Sequence, residues 1–137
     1  MTNGICLTVL IVDDSRYMRN IVRSYFSELN FACTYLEAPD GKDALKQLLA
    51  RHVDLVLLDW NMPRMSGIEF LKLVRGMEPY KKLPIIMVTS EGAKLNVVEA
   101  FKSGITDYVI KPIDGEIFKE KVLEIFDPDE IYKKGSL

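Results

Sequence analysis

Five positions carry side chains able to do chemistry together: the adjacent pair Asp13-Asp14, then Asp59, Thr89 and Lys111. Three carboxylates brought to one place repel, which raises the pKa of at least one of them. A hard divalent cation removes that conflict, and oxygen ligands without His or Cys partners suit Mg²⁺. Such an ion keeps several waters and takes one or two carboxylates plus a phosphate, so an incomplete protein cage is expected. Lys111 adds a compact cation for a phosphoryl oxygen or a carboxylate. Pro112, which follows it, is a candidate for a cis bond that sets where the lysine points. Thr89 offers a hydroxyl. A metal on one side, with a lysine and a hydroxyl on the other, suits phosphoryl transfer, which depends on positioning and charge neutralisation.

Aspartate is an established phosphoryl acceptor. Asp59 is the candidate nucleophile because it ends the apolar run Val-Asp-Leu-Val-Leu-Leu. Each residue also has a plainer use on its own. Acids after strands cap helices, and Asp14 or Ser15 is a candidate N-cap. A lone Lys-Pro is commonly a turn. With one histidine, His52, the chain has no convincing Ser–His or Cys–His pair, so the phosphoryl group must come from outside it.

These residues need elements to position them. Apolar β-rich runs occur at Leu7–Val12, Val53–Leu58 and Pro84–Thr89, with weaker strand candidates at Cys33–Glu37 and Asp107–Ile110. Between them, apolar residues recur at helical spacing: Met18 to Leu29, Ala44 to Leu49, Ile68 to Val74, Lys94 to Phe101 and Ile117 to Phe126. Gly104 is expected to end the fourth helix and Pro128 to stop the fifth. Five strand–helix units in series predict an α/β fold, a doubly wound parallel sheet covered by helices on both faces. Ligands in such sheets bind beyond the carboxyl ends of the strands. The residues just past the strong strands are Asp13-Asp14, Asp59, Thr89-Ser90 and Lys111-Pro112, so the topology would gather them on one edge.

The 137 residues fit one domain, expected over 1–127, with a polar tail at 128–137. The chain is 48% hydrophobic and carries 18 basic against 20 acidic residues. A net charge of -2 gives no electrostatic footprint for nucleic acid or an anionic membrane. No apolar run is long enough to span a bilayer, and the start lacks a signal-peptide pattern, so a cytoplasmic location is expected. Cys6 and Cys33 read as small buried apolar residues, and His52 as a solvent-facing loop residue.

In their order and spacing, Asp13-Asp14, Asp59, Thr89 and Lys111-Pro112 resemble the signature of response-regulator receiver domains. The match runs from about Leu7 to Phe126. Residues 58–72 and 87–91, with Lys94 shortly after, are similar to the single-domain chemotaxis members of that family, the CheY type. The resemblance implies a flavodoxin-like strand order of 2-1-3-4-5 with five helices. It implies that Asp59 takes phosphate from a histidine kinase, CheA-like in chemotaxis. Asp14, Asp59 and the backbone carbonyl of Asn61 would ligate Mg²⁺, and Asp13 would act mainly through metal-bound water. Thr89 and Lys111 would contact the phosphoryl oxygens, and Tyr108 would be an aromatic switch that moves inward as Thr89 engages phosphate. Asn61 and Glu91 would tune hydrolysis of the acyl phosphate. Two departures stand out: Ser15 replaces an aromatic found in the chemotaxis members, and Ile113 stands where an aromatic commonly follows Lys-Pro.

The implied output is protein–protein contact, through the fourth helix, last strand and last helix around Lys94, Tyr108 and Lys121. Candidate partners are a flagellar switch protein and a phosphatase, with the chain itself a monomer. No enzymatic turnover is expected beyond self-phosphorylation from small donors and autodephosphorylation. The same fold could instead serve as a phosphorelay carrier or be part of a larger regulator. A haloacid-dehalogenase-type phosphohydrolase would want an acid where Asn61 stands. An FMN binder would want Ser, Thr and Gly donors in the first loop, where Asp13-Asp14 would repel phosphate.

Overall fold

The computed structural model describes residues 6–126; the expected tail and the Pro128 stop lie outside them. Five strands, β1 (Cys6–Val12), β2 (Ala32–Ala38), β3 (Leu55–Leu58), β4 (Ile85–Thr89) and β5 (Asp107–Ile110), form one parallel sheet in the order β2-β1-β3-β4-β5. Five α-helices alternate with them: α1 (Arg16–Ser27), α2 (Gly41–Ala50), α3 (Gly67–Arg75), α4 (Lys94–Lys102) and α5 (Gly115–Ile125). A short 3-10 turn at Glu78–Tyr80 precedes β4.

Parallel strands leave neither face to solvent, and the central runs are apolar on both sides. Val9 and Ile11 pack with Val22 and Phe26 of α1 and with Phe118 and Val122 of α5. Leu10 and Val12 point the other way, to Ala44 and Leu48 of α2, Phe70 and Val74 of α3 and Ala100 of α4. The two-residue period of a strand thus divides one apolar run between two cores.

Side-chain caps start four of the helices. Ser15 caps α1, accepting from the Met18 N–H at 3.2 Å. Asp40 caps α2 through the Asp43 N–H at 2.8 Å, and Asp114 caps α5. Ser66 and Glu69 form a reciprocal capping box at α3. Of the α-helices among the described residues, α4 alone has no side-chain cap. Its expected apolar face also needs correction. Val97 packs against the core and Ala100 is buried, but Val98 and Phe101 are exposed, as is Leu95 at 83%. The sheet contacts the face carrying small Ala100, so the helix turns its larger apolar residues outward.

Cys6 also departs from expectation: it is exposed, because it opens β1 at the amino edge of the sheet, while Cys33 is half-buried. His52 is exposed as expected and pairs with Asp54 at 2.8 Å.

Gly67 makes the closest approach between a helix and the strand ends. Its N–H donates to the Trp60 carbonyl at 2.8 Å, and a Cβ there would lie 2.0 Å from the Asp59 carbonyl oxygen. Backbone cannot yield that distance without moving α3. Gly67→Ala is expected to destabilise the protein by about 3 kcal/mol or more, as severe overpacking does, read from urea unfolding.

Candidate phosphorylation and metal site

The site is built where the ladder of backbone hydrogen bonds runs one residue past the strands. The Asp13 N–H donates to the Ala38 carbonyl at 3.0 Å, Asp59 to Val12 at 2.9 Å and Lys111 to Thr89 at 2.9 Å. Each functional residue therefore inherits the rigidity of its strand. The carboxylates of Asp13, Asp14 and Asp59 come within 4.8 Å of one another. Asp13 and Asp59 are buried, at 4% and 6% exposure, while Asp14 faces solvent. The sequence expectation that these acids converge is met.

The acids are held individually. Asp13 Oδ1 accepts from the Ser15 N–H at 2.9 Å, and Asp59 Oδ1 from the Trp60 N–H at 2.8 Å. The Lys111 ammonium lies 2.7 Å from Asp13 Oδ2 and 3.5 Å from Asp59 Oδ2, and the Lys111–Pro112 bond is cis. One cation thus bridges two of the three carboxylates. The third charge is left to solvent or to a bound cation.

Burial pushes the Asp59 carboxyl above its ordinary value of 3.8; the Thr89 hydroxyl opposes the shift, the Asp13 charge adds to it, and Lys111 opposes it. Thr89 is fully buried at the end of β4. An all-oxygen cluster, with one acid open to solvent and a buried acid raised in pKa, fits a hard divalent cation. Asp13, Asp14 and Asp59 each offer a carboxylate oxygen to it.

Tyr108 is buried, and its hydroxyl donates to the Glu91 carbonyl. Burial raises its pKa to about 12. Asn61 Nδ2 donates to Glu91 Oε1 at 2.8 Å, and Asn96 Nδ2 to Glu91 Oε2 at 3.0 Å. Glu91 accordingly links the loop after β3 to α4. Of the expected partner residues, Lys94 is exposed at the start of α4. Lys121 instead pairs with Asp107 at 2.9 Å, at the start of β5 and away from the acids.

Sequence reasoning missed several residues that support the site. Arg19 of α1 donates to the Asp13 carbonyl at 2.6 Å and to Glu37 at 2.9 Å. Asp40 and Arg64 pair at 2.7 Å, which holds the Asp40 carboxyl below its ordinary value. Asn96 was not singled out either. Their signal lies in pairings across 5 to 24 residues, which no local period encodes.

A raised Asp59 pKa has a defined pH consequence. Between its unfolded and folded values the folded chain keeps a proton that the unfolded chain releases. The stabilisation this gives is present at low pH and lost as pH rises through the folded value. In metal-free protein, Asp59→Asn is expected to gain stability over wild type as pH climbs from about 4. At neutral pH the variant should be the more stable of the two. Urea unfolding across pH in a chelator checks this.

Comparison with known proteins agrees with this geometry. The response regulator receiver domain family matches residues 9–123. A chemotaxis protein CheY of Pseudomonas aeruginosa is 41% identical over 121 residues, covering 88% of this chain and 97% of that one. Chemotaxis protein CheY1 of Helicobacter pylori is 41% identical over 117 residues, covering 85% and 94%. The structure of the chemotaxis response regulator CheY4 of Vibrio cholerae superposes with a TM-score of 0.79 at 31% identity, covering 89% of this chain and all of that one. A chain of the CheX–CheY–BeF₃–Mg²⁺ complex from Borrelia burgdorferi gives 0.80 at 28% identity, covering 88% of this chain and 89% of that one. With its strand order, its edge cluster of acids and these relatives, the chain belongs to the response-regulator receiver domain family, among CheY-like two-component regulators.

Proposed function

We propose that Asp59 is the phosphoryl acceptor, that Mg²⁺ is the cation, and that the phosphorylated domain signals in chemotaxis through the face formed by α4, β5 and α5. The observation that carries this reading is the Asp13–Lys111–Asp59 bridge beside a third carboxylate. Lys111 lies near Asp59 Oδ2, where it would meet an added phosphoryl oxygen. Asp14 and Asp59, with the Asn61 carbonyl, would hold Mg²⁺, which when bound neutralises charge on the transferring group. Asp13 anchors Lys111 and would reach the cation through water.

In the transfer, an Asp59 carboxylate oxygen forms a bond to phosphorus while the phosphorus–nitrogen bond of a kinase phosphohistidine breaks, and the nitrogen keeps that electron pair. Thr89 then donates its hydroxyl to the new phosphoryl group. Since the Glu91 N–H contacts Thr89 Oγ1 at 3.4 Å, movement of Thr89 is felt at Glu91 and hence at Tyr108 and Asn96. That gives the two states different contacts, the requirement for a population shift. Asn61 and Glu91, bonded to each other beside the acceptor, are placed to orient water and shorten the signal.

The output face is apolar and open. Leu95, Val98 and Phe101 of α4 and Ile110 of β5 are exposed there. A flagellar switch protein and a phosphatase are its proposed partners, and a CheA-like kinase the donor. Catalytic turnover is limited to self-phosphorylation and autodephosphorylation.

Incubation with phosphoramidate or acetyl phosphate and Mg²⁺ should yield one hydroxylamine-labile phosphoryl group per chain, absent from Asp59→Asn. Equal incorporation by the variant would place the acceptor elsewhere. Trp60, the only tryptophan and the neighbour of Asp59, should change fluorescence with Mg²⁺ and again on phosphorylation. A titration that leaves it unchanged while binding is shown independently would contradict the geometry. Phosphorylation-dependent binding to switch-protein peptides tests the chemotaxis role.

A further inference from the structure

A fourth carboxylate lies at the same edge of the sheet and takes no part in the acid cluster. Asp40, between β2 and α2, is buried at 4% exposure. Its Oδ1 accepts from the Asp43 N–H, which completes its duty as the α2 cap. Its Oδ2 has a second partner, Arg64 Nε at 2.7 Å. Arg64 belongs to the loop between β3 and α3, and its backbone is left-handed, with φ 64°. Arginine seldom adopts that conformation, because its Cβ crowds the carbonyl. Capping of α2 does not require it.

The two loops are also joined through backbone. The Gly41 N–H donates to the Met65 carbonyl at 3.0 Å, and a Cβ on Gly41 would come 2.8 Å from that oxygen. The loop that Arg64 anchors starts at Asp59, Trp60 and Asn61 and closes through Gly67 N–H on the Trp60 carbonyl. Since β1 lies between β2 and β3, the contact bridges over the strand that leads into Asp13 and Asp14.

We propose that Asp40 and Arg64 are positioning residues of the phosphorylation site: their ion pair clamps the loop after β3 to the start of α2 and so sets the Asn61 carbonyl and the Asp59 carboxylate. Neither residue touches the cation or the phosphoryl group. The inference rests on the Mg²⁺ reading above. Residues that orient ligands from outside the coordination sphere commonly carry a large share of metal affinity. The left-handed Arg64 is held in place by the bond its side chain makes, and the loop follows it.

Two substitutions separate the clamp from folding. Arg64→Asn tolerates the left-handed backbone, so it removes the pair without adding strain. Asp40→Asn keeps an acceptor for the α2 cap but turns its amide toward Arg64. In metal-free protein, amide exchange at Gly41 and Gly67 should quicken in both variants relative to the core strands. Mg²⁺ affinity, read from Trp60 fluorescence, should fall by about tenfold in each. The double variant should be no weaker than the worse single one, because both remove one interaction. Variants that match wild type in Mg²⁺ affinity, whether or not they melt earlier, overturn the clamp as a positioning device. A wild-type protein that binds no Mg²⁺ overturns the metal reading and this inference with it. Unchanged exchange at Gly41 and Gly67 overturns the clamp alone.

Discussion

Three carboxylates within 4.8 Å of one another, two of them buried, are the constraint to which the rest of the structure answers. Ionised acids at that spacing repel, and burial adds a solvation cost to each. Lys111 offsets part of this by bridging Asp13 and Asp59, and backbone N–H groups of Ser15 and Trp60 satisfy an oxygen of each. The compensation is incomplete: burial first, then the Asp13 charge, push the Asp59 carboxyl above its ordinary value. A site left short of positive charge is one that gains by taking up a cation. The same shortage that costs stability in the metal-free chain favours metal binding.

Such an arrangement persists only on a rigid support. The ladder extends into Asp13, Asp59 and Lys111, and two apolar layers hold the sheet from both sides. The loops that follow are tied as well, by the capping box of α3, the close approach of Gly67 and the Arg19 bond to the Asp13 carbonyl. α4 is the exception. It has no side-chain cap, buries only Ala100 and exposes Leu95 and Phe101. Glu91 connects this least anchored helix to the site, through Asn96 on one side and Asn61 on the other. Firm anchoring at the acids and weaker anchoring at α4 would suit the proposed separation of chemistry from output.

Much of this was legible in the chain itself. Apolar runs of strand length, alternating with helical periods, determined the number and parallel arrangement of the strands, because a doubly covered strand must be apolar on both sides; their order in the sheet was implied only by the family resemblance. The rule that such sheets bind at their carboxyl ends then selected Asp13, Asp14, Asp59, Thr89 and Lys111 as one site. Local chemistry marked the caps too: Ser15 was one of two candidates, beside Asp14, and Ser66 with Glu69 carries a readable pattern.

Tertiary structure alone decided how the site is held. The division of Lys111 between Asp13 and Asp59, the inward Tyr108, the pairing of Lys121 with Asp107 and the Asp40–Arg64 contact all depend on residues distant in sequence meeting at particular distances. Cys6 and the outward side of α4 were misread for a related reason. Apolar character is a property of the residue, but burial depends on which face the neighbouring elements cover. Sequence period determines which residues share a face; only packing determines whether that face meets the sheet, and charge pairing follows from where packing leaves the loops.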